Sequence, residues 1–298
     1  MNPLGCHALV WAGGWNADQA RRSVAGVAEA GFDFIEIPLR RPAGIDVPAT
    51  ARLLEDFALK AAGGLALGFD TNIADDDAET AGRGEALLNE AISVARDLGA
   101  FQIAGVLHSA LGKYERPVSA TASARAVEVL ARVAERAREA GLVLALEAVN
   151  RYENALINTA GQALALVSAI GAANVGVHLD TFHMNIEENN PAAAIRSCGR
   201  RLFHLHVGES HRGYLGTGTV DFGAVFRALV EIGYDGPIAL ESFSSAVIDP
   251  GLSHRLAVWR DLWTDSADVA GHARRFVAAG LERAHQAAGA GIDGGRRE

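Results

Sequence analysis

SARAVEVLARVAERAREAGLVLALEA, residues 123–148, contains one complete structural unit. In its first part Val127, Leu130, Ala131, Ala134 and Ala137 recur at spacings of three and four, the period of one helix face. Gly141 closes that stretch, as glycine commonly does at a helix C-terminus. From Leu142 to Ala148 the pattern becomes an apolar run broken only by Glu147. A strand covered on both faces reads this way, because neither face meets water. An amphipathic helix feeding a fully buried strand is the repeat of a parallel α/β protein.

The same alternation extends in both directions. Strand-like runs are expected at Cys6–Trp11, Phe34–Leu39, Leu65–Phe69, Phe101–Leu107, Leu142–Ala148, Val175–Leu179, Leu202–Val207 and Pro237–Leu240. Helical stretches are expected near 17–30, 48–62, 85–98, 161–170 and 222–232, with a last long helix over 271–289. Eight strands, each followed by a helix, predict a (β/α)8 TIM barrel. A doubly wound sheet is the competing α/β fold, but its Gly-rich phosphate fingerprint is absent after the first strand. No Pro/Ser-rich linker divides the chain, so one barrel domain is expected over 1–288, with 289–298 as a disordered tail.

Bulk properties narrow the function classes. The 298 residues carry a formal net charge of −9, which speaks against a nucleic-acid partner. Hydrophobic residues make up 49% and charged residues 21%, enough for a packed core. No basic start precedes the first apolar residues, and no apolar run is long enough to span a membrane, so neither a signal peptide nor a membrane partner is expected. Two cysteines, Cys6 and Cys198, suggest no disulfide framework and a cytoplasmic location.

In a TIM barrel the chemistry gathers where strands end and βα-loops begin. The last four strand ends read LALEA, VHLDT, HLHVG and IALES, and offer Glu147, Asp180, His206 and Glu241. These residues lie about one βα unit apart, so four neighbouring strands aim three carboxylates and one imidazole at one point. Carboxylates so crowded repel unless a cation neutralises them. Oxygen-rich ligation with a single His suits Mn²⁺, Co²⁺ or Mg²⁺ better than structural zinc.

Longer motifs then carry a resemblance: GCHALVW from residue 5, LEAVNRYE (146–153), HLDTFHMNIEE (178–188), HVGESHRGYLGTGTVDF (206–222) and IGYDGPIALESFSS (232–245). The sequence resembles the ketose 3-epimerases, xylose-isomerase-like TIM barrels acting on D-tagatose, D-allulose or L-ribulose, from residue 5 to about residue 285. Within that family it resembles the bacterial D-allulose and L-ribulose 3-epimerases that share the GCH-LVW opening and the Arg-Tyr-Glu of residues 151–153. The resemblance implies the same four metal ligands, with Glu147 and Glu241 as the acid/base pair. It implies that Glu153, His183 and Arg212 hold the O1–O3 end of a free ketose, and that the enzyme is a homodimer or homotetramer. Epimerisation at C3 removes a proton beside the C2 carbonyl and returns one to the opposite face. Two carboxylates flanking a cis-enediolate suit that task, and a divalent cation stabilises its charge.

Further candidates surround this set. Trp15, after the first strand, is expected to wall the sugar's C4–C6 end. Cys6 and His108 are expected near the distal hydroxyls; relatives carry Tyr at or near these positions, though Cys6 also reads as a small core residue. Glu36, buried within FIEIPL, needs a partner, either a site residue or a sugar hydroxyl. His204 points the same way as His206 and reads as packed or as support behind the ligands. The loop after His206 carries Glu209, His211 and Arg212 toward substrate or toward groups that support the ligands, His211 reading equally as solvent-exposed, with Gly213, Gly216 and Gly218 for its turns. Asp221 reads as a helix cap. Trp259 and Trp263 fall four apart on an expected helix, as core or subunit interface. His7 and Lys113 have no assigned role. Competing readings are an aldose–ketose or hydroxypyruvate isomerase, a multi-zinc endonuclease, and a non-catalytic sugar-binding barrel.

Overall fold

Eight parallel strands close on themselves in chain order, β1 pairing with both β2 and β8. The structure is a computed structural model describing residues 2–294, with side chains described to residue 289. The strands are β1 (Leu4–His7), β2 (Phe34–Pro38), β3 (Lys60–Gly64), β4 (Gln102–Gly105), β5 (Val143–Glu147), β6 (Val175–Asp180), β7 (Leu202–Val207) and β8 (Ile238–Leu240). The helices are α1 (Ala17–Glu29), α2 (Val47–Asp56), α3 (Ala78–Asp97), α4 (Ala120–Glu139), α5 (Ala160–Ile170), α6 (Thr181–Glu187), α7 (Pro191–Cys198), α8 (Phe222–Glu231), α9 (Pro250–Arg255) and α10 (Ser266–Gly294). The tail expected over 289–298 begins within α10 and ends outside the described residues. No described helix is long and apolar enough to cross a membrane. Cys6 and Cys198 are both buried and unpaired.

Local chemistry sets the helix starts. Asn16 and Gln19 form a reciprocal capping box at α1, and Asp221 caps α8 as its sequence context suggests. Alternation along each strand then divides side chains between two layers. Ile35, Ile37, Ile103, Leu144, Leu146, Val175, Val177 and Leu205 turn outward into the main core beneath the helices. The lumen is stepped. Phe34, Ala62 and Ala239 pack with Phe101 at the bottom. Gly5 has no side chain because the Phe34 ring lies 2.2 Å from where its Cβ would be. Above them Glu36, Gln102, His178 and His204 make a buried polar layer. The site residues form the top.

The structure shifts several expected elements. The third strand is Lys60–Gly64 rather than 65–69, so the helix expected to 62 stops at Asp56. Its sequence, KAAGG, is too small to read as a strand, while the apolar LALGF beyond it is irregular chain lining the barrel mouth. The first strand begins and ends earlier than expected, giving way to a 3-10 turn at Ala8–Val10. WRDLWTD (259–265) is not helical. Trp263 is buried at 4% exposure whereas Trp259 is 70% exposed, so the two do not form one stripe.

Candidate active site and metal centre

Glu147 closes β5, Asp180 closes β6, His206 is the penultimate residue of β7, and Glu241 follows β8. Register places Glu147 beside His178 and Asp180 beside His206. Each of the four offers a ligating atom, and these atoms lie within 4.8 Å of one another. Glu147, His206 and Glu241 line a cavity of about 990 Å³ at the C-terminal mouth of the barrel, and Asp180 lies buried beside them. His206 Nδ1 is buried there without a hydrogen-bond partner. An orphaned imidazole nitrogen among three carboxylates is a donor set that fits a divalent cation.

Arg212 is the positive charge already present. Its Nη1 lies 2.6 Å from Asp180 Oδ2 and 2.9 Å from Glu241 Oε2. The guanidinium stacks over Phe182 at 4.0 Å from the ring centroid. Arg212 itself takes the left-handed conformation (φ 61°), a strained choice for a non-glycine residue, while Gly213 beside it does not. Ser242 donates to the Arg212 carbonyl and accepts from the Trp263 indole at 2.7 Å, which holds this backbone in place.

The surroundings split the carboxylates. Burial and then the nearby Glu241 push Glu147 well above the ordinary carboxylate range. Burial alone would raise Glu241 too, but Arg212 and His206 outweigh it and hold Glu241 well below. Asp180 is pushed up to about 6 by burial, against the pull of Arg212. His206 is driven down by burial but up by Glu36 and Glu241, and the carboxylates win.

His183 sits on α6, one turn after Asp180. Its Nδ1 accepts from the Asn150 amide at 2.8 Å, which leaves Nε2–H facing the cavity, 3.6 Å from Glu147 Oε1. The same Asn150 amide donates to Glu153 Oε1 at 2.8 Å, so one residue orients two. Arg151 ties this loop to α6 through Glu187, by its backbone N–H at 2.7 Å and its guanidinium at 2.7 Å. Glu153, His183, Arg212 and Trp15 all line the cavity, as the sequence suggests.

Comparison with known proteins now has a geometry to explain. A family model described as a xylose isomerase-like TIM barrel matches residues 24–276. The L-ribulose 3-epimerase of Methylomonas sp. (strain DH-1) is 47% identical over 273 residues, covering 92% of this chain and 96% of its own. The ketose 3-epimerase of Arthrobacter globiformis is 45% identical, covering 92% and 95%. The chain belongs to the ketose 3-epimerase family. A solved D-allulose 3-epimerase from Methylomonas sp., in complex with D-allulose, superposes with a TM-score of 0.92 at 46% identity, covering 93% of this chain and 96% of its own. A solved L-ribulose 3-epimerase gives 0.95 at 41% identity over 100% of both chains.

Two residues expected to touch the sugar of a ketose 3-epimerase are elsewhere. Cys6 is wholly buried in the core outside the barrel, because β1 turns Gly5 and His7 inward and Leu4 and Cys6 outward. His7 lines the cavity instead, with Nδ1 accepting from Leu9 N–H, so Nε2–H is free to donate. Parity with Glu36, its register partner, was the signal that marked it. His108 is also buried and absent from the cavity wall. It donates through Nε2 to the Glu147 carbonyl at 2.9 Å and accepts from Ser109 at 2.8 Å, so it braces Glu147 from behind. Its burial pushes its pKa down to about 4.

The loop after β7 is likewise rearranged relative to expectation. Glu209 turns away from the cavity and accepts backbone N–H groups of Ser210, Gly216 and Val220 at 2.8, 2.8 and 3.2 Å, stapling the loop that carries Arg212. His211 accepts from Gly213 N–H at 3.1 Å and does not line the cavity. Asn150, Phe182, Glu187 and Ser242 were not singled out in the sequence, and Trp263 was read only as core or subunit interface. Only Asn150 had a local signal, as the first polar residue after the apolar Ala148 and Val149 that follow β5.

Proposed function

We propose that this protein interconverts the C3 epimers of free ketoses, using a divalent cation held by Glu147, Asp180, His206 and Glu241. The observation that carries the reading is the convergence of these four side chains beside one open cavity, which Glu147, His206 and Glu241 line together with Arg212 and His183. When bound, the cation would offset carboxylate repulsion and stabilise negative charge that develops on the ketose oxygens.

The chain's own residues then divide the work. Glu241, kept ionised by Arg212 and His206, is the base that takes the C3 proton. Glu147, the carboxylate that burial and Glu241 push up, returns a proton to the other face. In the reverse direction the two exchange roles. Arg212 and His183 Nε2–H donate to the oxygens of the cis-enediolate, and Glu153 accepts from a hydroxyl at the C1 end. Trp15 and His7 face the remaining carbons, the first as an apolar wall and the second as a fixed donor. The names of the similar proteins divide between L-ribulose and D-allulose, so both a pentulose and a hexulose belong in the test.

The enzyme is proposed to work in the cytoplasm, in keeping with its two free buried thiols, and as a homodimer or homotetramer. Exposed Tyr152 and Trp259, 67% and 70% accessible, are apolar surface that a second subunit would cover. The decisive experiment assays a panel of pentuloses and hexuloses with Mn²⁺, Mg²⁺ or Co²⁺ and resolves the products by chromatography. C3 epimers are expected; aldose products would replace this reading with an aldose–ketose isomerase.

A further inference from the structure

Glu36 is a buried carboxylate in the middle of a barrel lumen, where an apolar side chain would fill the space at lower cost. It takes no part in the proton transfers above. Its Oε2 is hydrogen-bonded to His206 Nε2 at 2.7 Å; its Oε1 lies 3.0 Å from His204 Nε2, a charge contact in which neither atom has a hydrogen-bond partner. His204 is held in turn by Gln102, whose amide nitrogen is 2.5 Å from His204 Nδ1.

These contacts fix hydrogens one after another. An amide nitrogen only donates, so His204 Nδ1 accepts, and a neutral His204 carries its hydrogen on Nε2, toward Glu36. An ionised carboxylate only accepts, so His206 Nε2 also carries a hydrogen. A neutral His206 then has its lone pair on Nδ1, the buried nitrogen that faces Asp180, Glu147 and Glu241 without a partner. Ring packing prevents the imidazole from turning away. His178 stands edge-on to His206 at 4.2 Å between centroids, and His204 at 4.9 Å.

We infer that Glu36 is a positioning residue for the metal centre: with His204 and Gln102 beneath it, it sets the tautomer and orientation of His206 so that Nδ1 is ready to ligate. The inference rests on the reading of Glu147, Asp180, His206 and Glu241 as a cation site. Carboxylates behind ligating histidines change metal affinity by about 10–100-fold.

The test is Mn²⁺ titration by calorimetry of the full-length, chelator-stripped protein, compared with Glu36→Gln. The amide keeps the size of the side chain but replaces one carboxylate oxygen by an N–H donor and removes the charge, so one of the two imidazole N–H groups faces a donor whichever way it turns. Binding about 10–100-fold weaker is expected, with a melting temperature in chelator close to wild type. Affinity within twofold of wild type in a folded variant overturns the inference. If Glu36→Gln fails to fold, Gln102→Leu decides: weaker Mn²⁺ binding at unchanged apo-protein melting supports the relay, and unchanged binding overturns it. Failure of the wild-type protein to bind Mn²⁺ would instead sink the cation site itself and the positioning role with it.

Discussion

Glu147 and Glu241 are chemically identical side chains in opposed surroundings, one crowded by a like charge and the other beside Arg212. Glu147→Gln and Glu241→Gln each remove a proton-transfer group, and steady-state kinetics should show kcat falling by at least ~10²-fold in both. Near-wild-type turnover in either would remove the two-carboxylate scheme. His108 gives a different outcome because it touches backbone rather than cavity. His108→Phe leaves the Glu147 carbonyl and Ser109 without their partner, costing about 1–3 kcal/mol in urea denaturation. Its KM for ketose should hold while kcat drops; a selective rise in KM would mean that His108 reaches the sugar. At this scale the four converging residues, Glu147, Asp180, His206 and Glu241, were legible because each interrupts an apolar run at a strand end. Cys6 was placed at the sugar and His7 left without a role because one residue of strand register exchanges lumen for outer core, and GCH has no alternation strong enough to fix its phase.

Between β5 and α6 the recognition elements act as a unit. Asn150 orients His183 and Glu153, and the Arg151–Glu187 pair ties their two elements together. Hydrogen bonding to Arg151, aided by its charge, outweighs burial and depresses the Glu187 carboxylate below its ordinary range. A depressed carboxylate contributes stability that is fully present above its unfolded pKa and is lost as pH falls through the folded pKa. Glu187→Gln should therefore lower stability at pH 7 by about 1 kcal/mol or less, given that Arg151 is 61% exposed. The difference from wild type should shrink below about pH 4.3, the unfolded Glu value, and vanish in stronger acid. A difference that persists unchanged at pH 2.5 in chemical denaturation would assign the effect to packing. Such a pairing could not be read from the chain, because Arg151 and Glu187 lie on different elements and each alone resembles an ordinary surface charge. The short α6 and α7, close behind β6, were missed for a related reason: seven and eight residues give too few turns for helical periodicity to show.

Across the whole molecule, a cation gripped by four successive strand ends would bind the closed barrel and not the unfolded chain. Calorimetric melting in excess Mn²⁺ should therefore exceed melting in chelator, by about 2.7 kcal/mol of stabilisation at a hundred times Kd. Identical melting curves would count against the site. The architecture also explains why the lumen tolerates so much polarity. Its lower level is closed by Phe34 and Phe101, so Glu36, Gln102, His178 and His204 are shielded from below and must satisfy one another or the residues above. His178 does so incompletely, with neither ring nitrogen hydrogen-bonded.

The amino-acid sequence by itself determined the repeating helix–strand unit, the closed barrel and the strand ends that bring Glu147, Asp180, His206 and Glu241 together, because hydrophobic periodicity and strand-end position are local properties. It also carried the family, through motifs long enough to be distinctive. Only the tertiary structure decided which face of β1 looks into the lumen, that His108 braces Glu147 from behind, that Glu209 staples its own loop, and that Glu36 answers two histidines 168 and 170 residues away. Those outcomes depend on register and on which distant groups share one desolvated space, and a buried charge finds its partner through three-dimensional proximity that no local spacing encodes.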